Sequence, residues 1–285
     1  MKQFGRQLRL ILGNAQESLT VDALRVTFEI SKTLSSEPNP ATISVYNLNA
    51  SHRNALASGQ FNRVSLAVGY EALRVIYTGD IIAVQTRRSD VDFITEMECG
   101  DGQQDYTQAR VSTTLRAGAT DAEILSKTAE SMRRTQQGVI DLPKDRTLPR
   151  GKVLTGNARD VLHKIARNHD ADWSIQDGHL TVLPRDKVLA DNEGFVLSQG
   201  TGMVGSPEKT SDGLKVTCQL NPTLRIGGLV RIRSILPGFD GDYKITELTH
   251  AGDLLSENWY TTVLCIGGQF LKAENKNGQQ NTNAS

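Results

Sequence analysis

Five histidines are the residues best suited to metal binding or proton transfer near neutral pH: His52, His163, His169, His179 and His250. His163 and His169 stand six residues apart in a helical pattern, a spacing that directs their side chains away from each other. Zinc sites usually pair their ligands at short spacing, and no such pair occurs among these histidines. The sequence therefore predicts no metal site.

One segment places a histidine beside carboxylates, Asn168-His169-Asp170-Ala171-Asp172. Such a group could support acid–base chemistry. The preferred interpretation is the end of a helix, with His169 near the C-terminal carbonyls and the aspartates in the turn before Trp173.

The glycine-rich stretch from Gly200 to Gly205 has the composition of a phosphate-binding loop. The sequence after it does not form the helix that such a loop requires, and Pro207 opposes one. We interpret the stretch as a flexible linker. The GxSxG and HExxH motifs are both missing, as is an isolated carboxylate pair in an apolar setting. The sequence thus predicts no catalytic residue, no cofactor-binding residue and no enzyme.

Composition excludes further classes. The 32 basic residues balance 32 acidic ones, which argues against a chain whose main task is to bind nucleic acid. No apolar run approaches the roughly 20 residues that cross a bilayer, and the N-terminus lacks the pattern of a secretory signal. The three cysteines, Cys99, Cys218 and Cys265, are expected to be reduced, buried thiols of a chain made in a cytoplasm.

The elements that would position these residues centre on the stretch from Gly213 to Gly267, which alternates apolar and polar residues between turns. It predicts an antiparallel meander of four strands: Leu214 to Leu220, Leu229 to Ile235, Asp242 to His250 and Trp259 to Ile266. We expect Trp259 to fill the core of this unit and His250 to hydrogen-bond across neighbouring strands.

A second version of this meander runs from Val64 to Gly100. Its last strand places an aromatic residue, a threonine and a cysteine at the same spacing as the later one: Phe93, Thr95 and Cys99 against Trp259, Thr261 and Cys265. Gly79-Asp80 and Gly241-Asp242 precede the two hairpins. Any two meanders share a period of two, but the shared spacing favours a diverged internal duplication.

Between the meanders the apolar period changes from 2 to 3.6, which indicates a different domain. Thr120 and Glu123 form a capping box, and a second helix starts at Asn157 or Thr155. Asp177-Gly178 is a tight-turn signal for a hairpin. The insert is therefore predicted to be α+β.

Both meanders carry short motifs of one family: Gly69-Tyr70, Tyr77 to Ile81 and Cys99 to Gly102, then Asn221-Pro222, Gly241 to Tyr243 and His250 to Asp253 followed by Trp259. With these motifs the chain resembles phage baseplate-hub and tail-tube proteins, over the stretch from Phe4 to Gly267.

The resemblance implies an α+β, mainly β fold, with two tail-tube-like antiparallel β-barrels and a small α+β insert between them. Residues 1–104 would form the first barrel, of about six strands with a short helix near 50–58. The insert would span 105–190, the second barrel 191–268, and a polar C-terminal tail 269–285.

The resemblance also implies a structural function. Such hubs form homotrimers whose two barrels per chain imitate a six-fold ring, which joins a hexameric tail tube to a trimeric spike. The implied partners are the tail tube or a tube-initiator protein and the spike, with a tape measure protein as a further candidate. The genome would pass through the lumen without specific binding. No membrane insertion is expected, and the chain would lie in the virion baseplate after assembly in the host cytoplasm.

Two alternatives stay open. A carbohydrate- or peptidoglycan-binding module would use Trp173 and the loop around Tyr243 as sugar platforms. An enzyme is the third class.

Overall fold

The structure is a computed structural model that describes residues 5–143, 146–190 and 194–273. The chain divides into two compact units. The sheet unit comprises Met1–Thr33, Asn39–Asp101 and Glu193–Gly268, and the insert unit comprises Leu34–Pro38, Gly102–Asn192 and Gln269–Ser285. In the described residues, no helix combines the length and the apolar character needed to cross a membrane.

The first half of the sheet unit contains seven strands and one helix: β1 (Gln7–Gly13), β2 (Ser18–Val21), β3 (Val26–Thr33), β4 (Pro40–Tyr46), α1 (Ala50–Ala57), β5 (Arg63–Gly69), β6 (Leu73–Ser89) and β7 (Asp92–Gly100). The alternation of apolar and polar residues along β1 and β3 directs one face of each strand into the core, since every second side chain is buried. Asn49 caps α1 by accepting a 2.8 Å hydrogen bond from the His52 amide, at the start of the short helix that was expected near 50–58.

The insert unit adds three helices and six strands before the chain returns: α2 (Gln103–Gln108), β8 (Arg110–Leu115), α3 (Asp121–Glu130), β9 (Gln136–Ile140), β10 (Lys152–Asn157), α4 (Ala158–Asn168), β11 (Ala171–Gln176), β12 (His179–Pro184) and β13 (Lys187–Val188). Thr120 caps α3 by accepting from the Glu123 amide, which is one of the two bonds of the predicted capping box, and Asn157, one of the two predicted starts, caps α4 by accepting from the Arg159 amide. The β11–β12 hairpin turns at Asp177 and Gly178, which both have positive φ, as the tight-turn signal predicts.

The second half of the sheet unit contains β14 (Phe195–Leu197), β15 (Met203–Thr210), β16 (Gly213–Gln219), β17 (Leu229–Ile232), β18 (Gly241–Asp253) and β19 (Trp259–Gly267). The expected linker at Gly200 to Gly205 is wrong. A 3-10 turn at Gln199–Thr201 leads directly into β15, because the Ser198 amide donates to Thr201 Oγ1 and closes the turn.

The sheet unit forms a single 13-stranded sheet in the order β15-β16-β19-β18-β3-β4-β7-β6-β5-β1-β2, with β17 and then β14 branching from β18. The mainly β character of the chain is confirmed. Strand pairing among the described residues does not close into two cylinders, so the two barrels stay a prediction.

The beginning of the predicted polar tail belongs to the insert unit. β20 (Leu271–Lys272) pairs in parallel with β13, and Ala273 is buried and donates its amide to Val188 O at 2.8 Å. The rest of the tail, 274–285, lies outside the described residues.

Candidate functional site

The five histidines do not form a common site. His163 and His179 are exposed, His52 lies on α1, and His169 and His250 are buried in different units. Within the described residues, no group of three or more His, Cys, Asp or Glu side chains is arranged to hold a metal ion.

His169 ends α4, as its sequence position predicts. Its Nε2 lies 2.9 Å from Oδ2 of Asp121, which begins α3, and Nε of Arg146 donates to the same oxygen at 3.0 Å. The neighbouring aspartates do not join it, since Asp170 occupies the turn and Asp172 accepts from Arg185. The true carboxylate partner is 48 residues away, a distance at which the sequence carries no signal. This cluster ties α3 to α4.

His250 makes the cross-strand hydrogen bond that the sequence predicts. Its Nδ1 lies 2.8 Å from Thr261 Oγ1, directly opposite on β19. Complete burial, and secondarily the nearby Lys32, lower its pKa from 6.5 to about 3. The ring is therefore neutral near pH 7 and serves packing.

Trp259 is fully buried, in a different environment from the one expected. Its ring meets Phe28 of β3 edge to face at 5.6 Å, and it belongs to the core cluster that contains β1 and β4 side chains. The expected core of a separate second barrel is thus corrected, because pairing of β18 with β3 places Gly252 opposite Phe28 and beside Trp259.

Trp173 is not a sugar platform. It is 2% exposed, in the core of the insert unit, and stacks on Tyr106 with ring centroids 5.2 Å apart. Tyr243 is partly buried and donates its hydroxyl to Phe239 O. The wall-binding interpretation therefore loses its main aromatic surface.

All three cysteines are free and buried, as expected. Burial raises the pKa of each thiol to about 12. None is poised as a nucleophile.

The feature that remains is a structural duplication in the sheet unit. The first repeat, β3 to β7, has the order β5-β6-β7-β4-β3, and the second repeat, β15 to β19, has the order β17-β18-β19-β16-β15. Each successive pairing is antiparallel in both repeats. The two orders match strand for strand.

Register extends the match to individual residues. Cys99 lies opposite Ile81 and Ala41, and Cys265 lies opposite Ile245 and Leu214. In both repeats the register shifts immediately after that isoleucine. The structure thus contains the repeat that the sequence predicts, with the aromatic-Thr-Cys spacing at equivalent positions.

The Gly-Asp alignment is wrong by two residues. Asp80 and Lys244 are the equivalent positions, since each lies opposite the residue that follows the cysteine. Both side chains are buried. A repeated dipeptide in turns carries less information than a ladder of paired side chains.

The two repeats are joined by what we call the internal seam. Residues Glu247–Asp253 of β18 pair with Thr33–Thr27 of β3, antiparallel, beyond the point where β17 stops covering β18. Arg25 and Asp253 form an ion pair at one end of the seam, at 2.6 Å.

In the described sheet, the strands equivalent to the two sides of the seam have edges without such a partner: β6, the equivalent of β18, and β15, the equivalent of β3. We call residues 83–89 the β6 edge, where β5 has stopped pairing with β6 and β7 continues on the other side. We call Met203–Thr210 the β15 edge, which pairs with β16 on one side and ends the sheet. Unpaired strand edges are ready templates for another strand.

The sequence matches the family model Baseplate hub gp41 over residues 8–265. No curated protein matches it.

Solved structures share the fold at low sequence identity. A tail protein from Neisseria meningitidis MC58 is 11% identical with a TM-score of 0.64, over 93% of this chain and 97% of that chain. The 43 kDa tail protein of prophage MuSo2 from Shewanella oneidensis is 10% identical with a TM-score of 0.65, over 92% and 97%. The E. coli c3393 protein, a type VI secretion system component described as similar to the T4 bacteriophage tail proteins gp27 and gp5, is 14% identical with a TM-score of 0.61, over 93% and 79%.

Proposed function

The chain belongs to the baseplate hub gp41 family of phage tail proteins, and from this premise we propose that it is a homotrimeric ring that joins the tail tube to the spike. Three chains with two equivalent repeats each present six similar units. Such a ring presents six-fold repetition to a hexameric tube and three-fold symmetry to a trimeric spike. The matched strand order and register of the two repeats carry this proposal.

The internal seam supports closure into a ring. It joins the β18 strand of one repeat to the β3 strand of the other, so its two surfaces differ. A heterologous contact repeated by a fixed rotation closes a ring. The chain contains one such contact, the internal seam, and its β6 edge and β15 edge are the equivalent surfaces for a second contact with another chain.

Each repeat would act as a tail-tube-like barrel in the assembled ring. In the first repeat the core faces of the strands are buried, including Ile30, Ile43, Leu66 and Met97, each with no exposed surface. Helix α1 contributes one buried side chain, Leu56. Most other side chains in this core cluster come from strands, and strand side chains likewise fill the interior of a small barrel.

The proposed partners are those of a ring that lies between a tail tube and a spike. We propose that the tail tube or a tube-initiator protein docks on one face and the spike on the other, and that a tape measure protein and then the genome pass through the lumen. Because its basic and acidic residues balance, the chain is expected to let the genome pass through the lumen without binding it specifically. The described resemblance of the E. coli type VI protein to gp27 and gp5 supports the spike as a partner.

The role is non-enzymatic and lies in the baseplate of the virion, after assembly in the host cytoplasm. Three buried, unpaired thiols suit a reducing compartment.

Negative-stain imaging of the purified chain tests the proposal. We expect three-fold rings with a central hole, and no retention of the chain on peptidoglycan. Single globular particles that bind the cell-wall polymer would overturn the hub and favour the wall-binding class.

A further inference from the structure

We propose that the β6 edge of one chain pairs antiparallel with the β15 edge of the next chain, in the register of the internal seam, so that Arg87 lies opposite Glu208 of the neighbouring copy. This inference rests on the proposed ring and identifies the strands that close it.

β18 of the second repeat is equivalent to β6 of the first repeat. Ile245 and Ile81 lie opposite the two equivalent cysteines, and each precedes a register shift. Counting along the ladders, His250 opposite Thr261 corresponds to Thr86 opposite Thr95. The hydroxyls of Thr86 and Thr95 lie 3.2 Å apart, where the second repeat has its His250–Thr261 bond. Arg87 is thus the equivalent of Ala251.

β15 of the second repeat is equivalent to β3 of the first repeat. Thr42 and Lys215 both lie opposite the residue that precedes the equivalent cysteine. On the far side, Thr42 pairs with Glu29 and Lys215 pairs with Glu208. Glu208 is thus the equivalent of Glu29.

The internal seam then fixes the register between chains. Within the chain, Ala251 lies opposite Glu29. The same contact between chains places Arg87 opposite Glu208, and the next aligned pair on that face is Gln85 with Thr210. Arg87 and Glu208 are both exposed in the single chain, and opposite charges face each other across the proposed contact.

Side chains at the β6 edge are less buried than their equivalents on β18, because no strand covers them in the single chain. In the second repeat, β3 covers β18, and both Leu248 and His250 are 1% exposed. In the first repeat the equivalents are less covered: Val84 is partly buried, and Thr86 is exposed. Two apolar side chains are also exposed here: Ile82, directly before the β6 edge, at 54%, and Val204, on the β15 edge, at 42%.

The β15 edge also carries features that limit its pairing to a short segment. Its ladder with β16 is interrupted between Val204 and Glu208, and within that interruption lie Gly205 with positive φ and Pro207, which has no amide hydrogen. Proline and bulges are devices that keep edge strands from pairing indiscriminately. The regular segment left for the neighbouring copy is Glu208–Thr210.

A cysteine pair tests the register directly. Side chains directly opposite in an antiparallel pair are within disulfide reach, whereas diagonal positions are not. Oxidation of the full-length variant Arg87→Cys/Glu208→Cys should therefore give a covalent closed trimer. The register-shifted pair Arg87→Cys/Thr210→Cys is the matched control and should give little crosslinked product. The native thiols are buried and should not compete.

Charge reversal tests the same pair without covalent chemistry. Arg87→Glu should weaken trimer formation by at least about tenfold, because it faces Glu208 of the neighbour. Glu208→Arg should do the same, and the double variant should restore assembly. Arg9→Glu is the control, since this exposed arginine lies on β1, outside both the β6 edge and the β15 edge, and is paired with Ala67 of β5.

The outcomes separate this inference from the hub proposal. A native trimer that is unaffected by charge reversal, or that crosslinks only in the shifted pair, overturns the β6–β15 contact and leaves the hub intact. A chain that neither assembles nor crosslinks overturns both.

Discussion

His250 shows how burial sets chemistry at the scale of one residue. The ring is neutral in the folded chain because burial holds its pKa at about 3, whereas in the unfolded chain it titrates near 6.5. The unfolded chain therefore binds the proton first as the pH falls. Stability attributable to His250 is fully present above about pH 6.5 and is lost progressively as the pH falls toward 3.

The expected loss between pH 6.5 and pH 4 is about 3 kcal/mol of unfolding free energy, at about 1.4 kcal/mol per pH unit. Urea unfolding at several pH values measures it. His250→Gln should flatten the dependence in this window, and His179→Gln, at an exposed position, is the control. An unchanged slope in the His250 variant would contradict the assignment.

The sequence predicted contacts between residues that are close together in the chain and missed contacts between distant ones. The His250–Thr261 bond follows from two strands that are adjacent in sequence, and the Asn49, Thr120 and Asn157 caps follow from helix starts. The Asp121–His169 pair brings together residues far apart in sequence, and tertiary packing alone decides it.

At the scale of elements, the internal seam depends on a glycine. A Cβ on Gly252 would lie 2.5 Å from the Phe28 ring and 2.8 Å from that of Trp259. The position opposite Phe28 therefore has no room for a side chain if the tryptophan is to fill the core.

We expect Gly252→Ala to lower the unfolding free energy by about 1–3 kcal/mol, the usual cost of overpacking a core. Denaturant unfolding monitored by tryptophan fluorescence reports it. Gly238→Ala is the matched control, since an added Cβ there meets nothing within 4 Å. Equal stability of the two variants would mean that the seam is looser than described.

The C-terminal strand β20 makes a second prediction at this scale. Ending the chain after Gly268 removes the hydrogen bonds that Leu271 and Ala273 donate to Asp186 and Val188. The insert unit should lose about 1–3 kcal/mol, while the sheet unit keeps its stability. Hydrogen exchange resolves the two units.

Ending the chain after Ala273 is the matched control for that truncation, because it keeps β20. It should leave the exchange of the insert unit unchanged. A cooperative loss of both units on truncation after Gly268 would contradict the division into units.

The sequence predicted the long elements well and the short ones poorly. Strands of seven or more residues with strict alternation, such as β16 and β19, match their expected positions within one residue. The short elements β2, β14 and α2 have too few residues to show a period, and their partners lie elsewhere in the chain. Pairing of β3 with β18 joins residues more than 200 positions apart, so the single sheet could not be foreseen.

At the scale of the whole molecule, one contact type would serve twice. Inside the chain it joins the two repeats, and between chains it would join the β6 and β15 edges. In the proposed ring, three internal seams would alternate with three contacts between chains, which would leave neither the β6 edge nor the β15 edge open to aggregation.

The mass of the purified full-length chain in solution, by size exclusion coupled to light scattering over a concentration series, decides whether the ring forms. We expect a species of about 94 kDa, three times the 31.2 kDa chain, that grows with concentration at the expense of monomer. A mass that stays at 31.2 kDa at every concentration, or that rises to an open series of larger species, would contradict the closed trimeric ring.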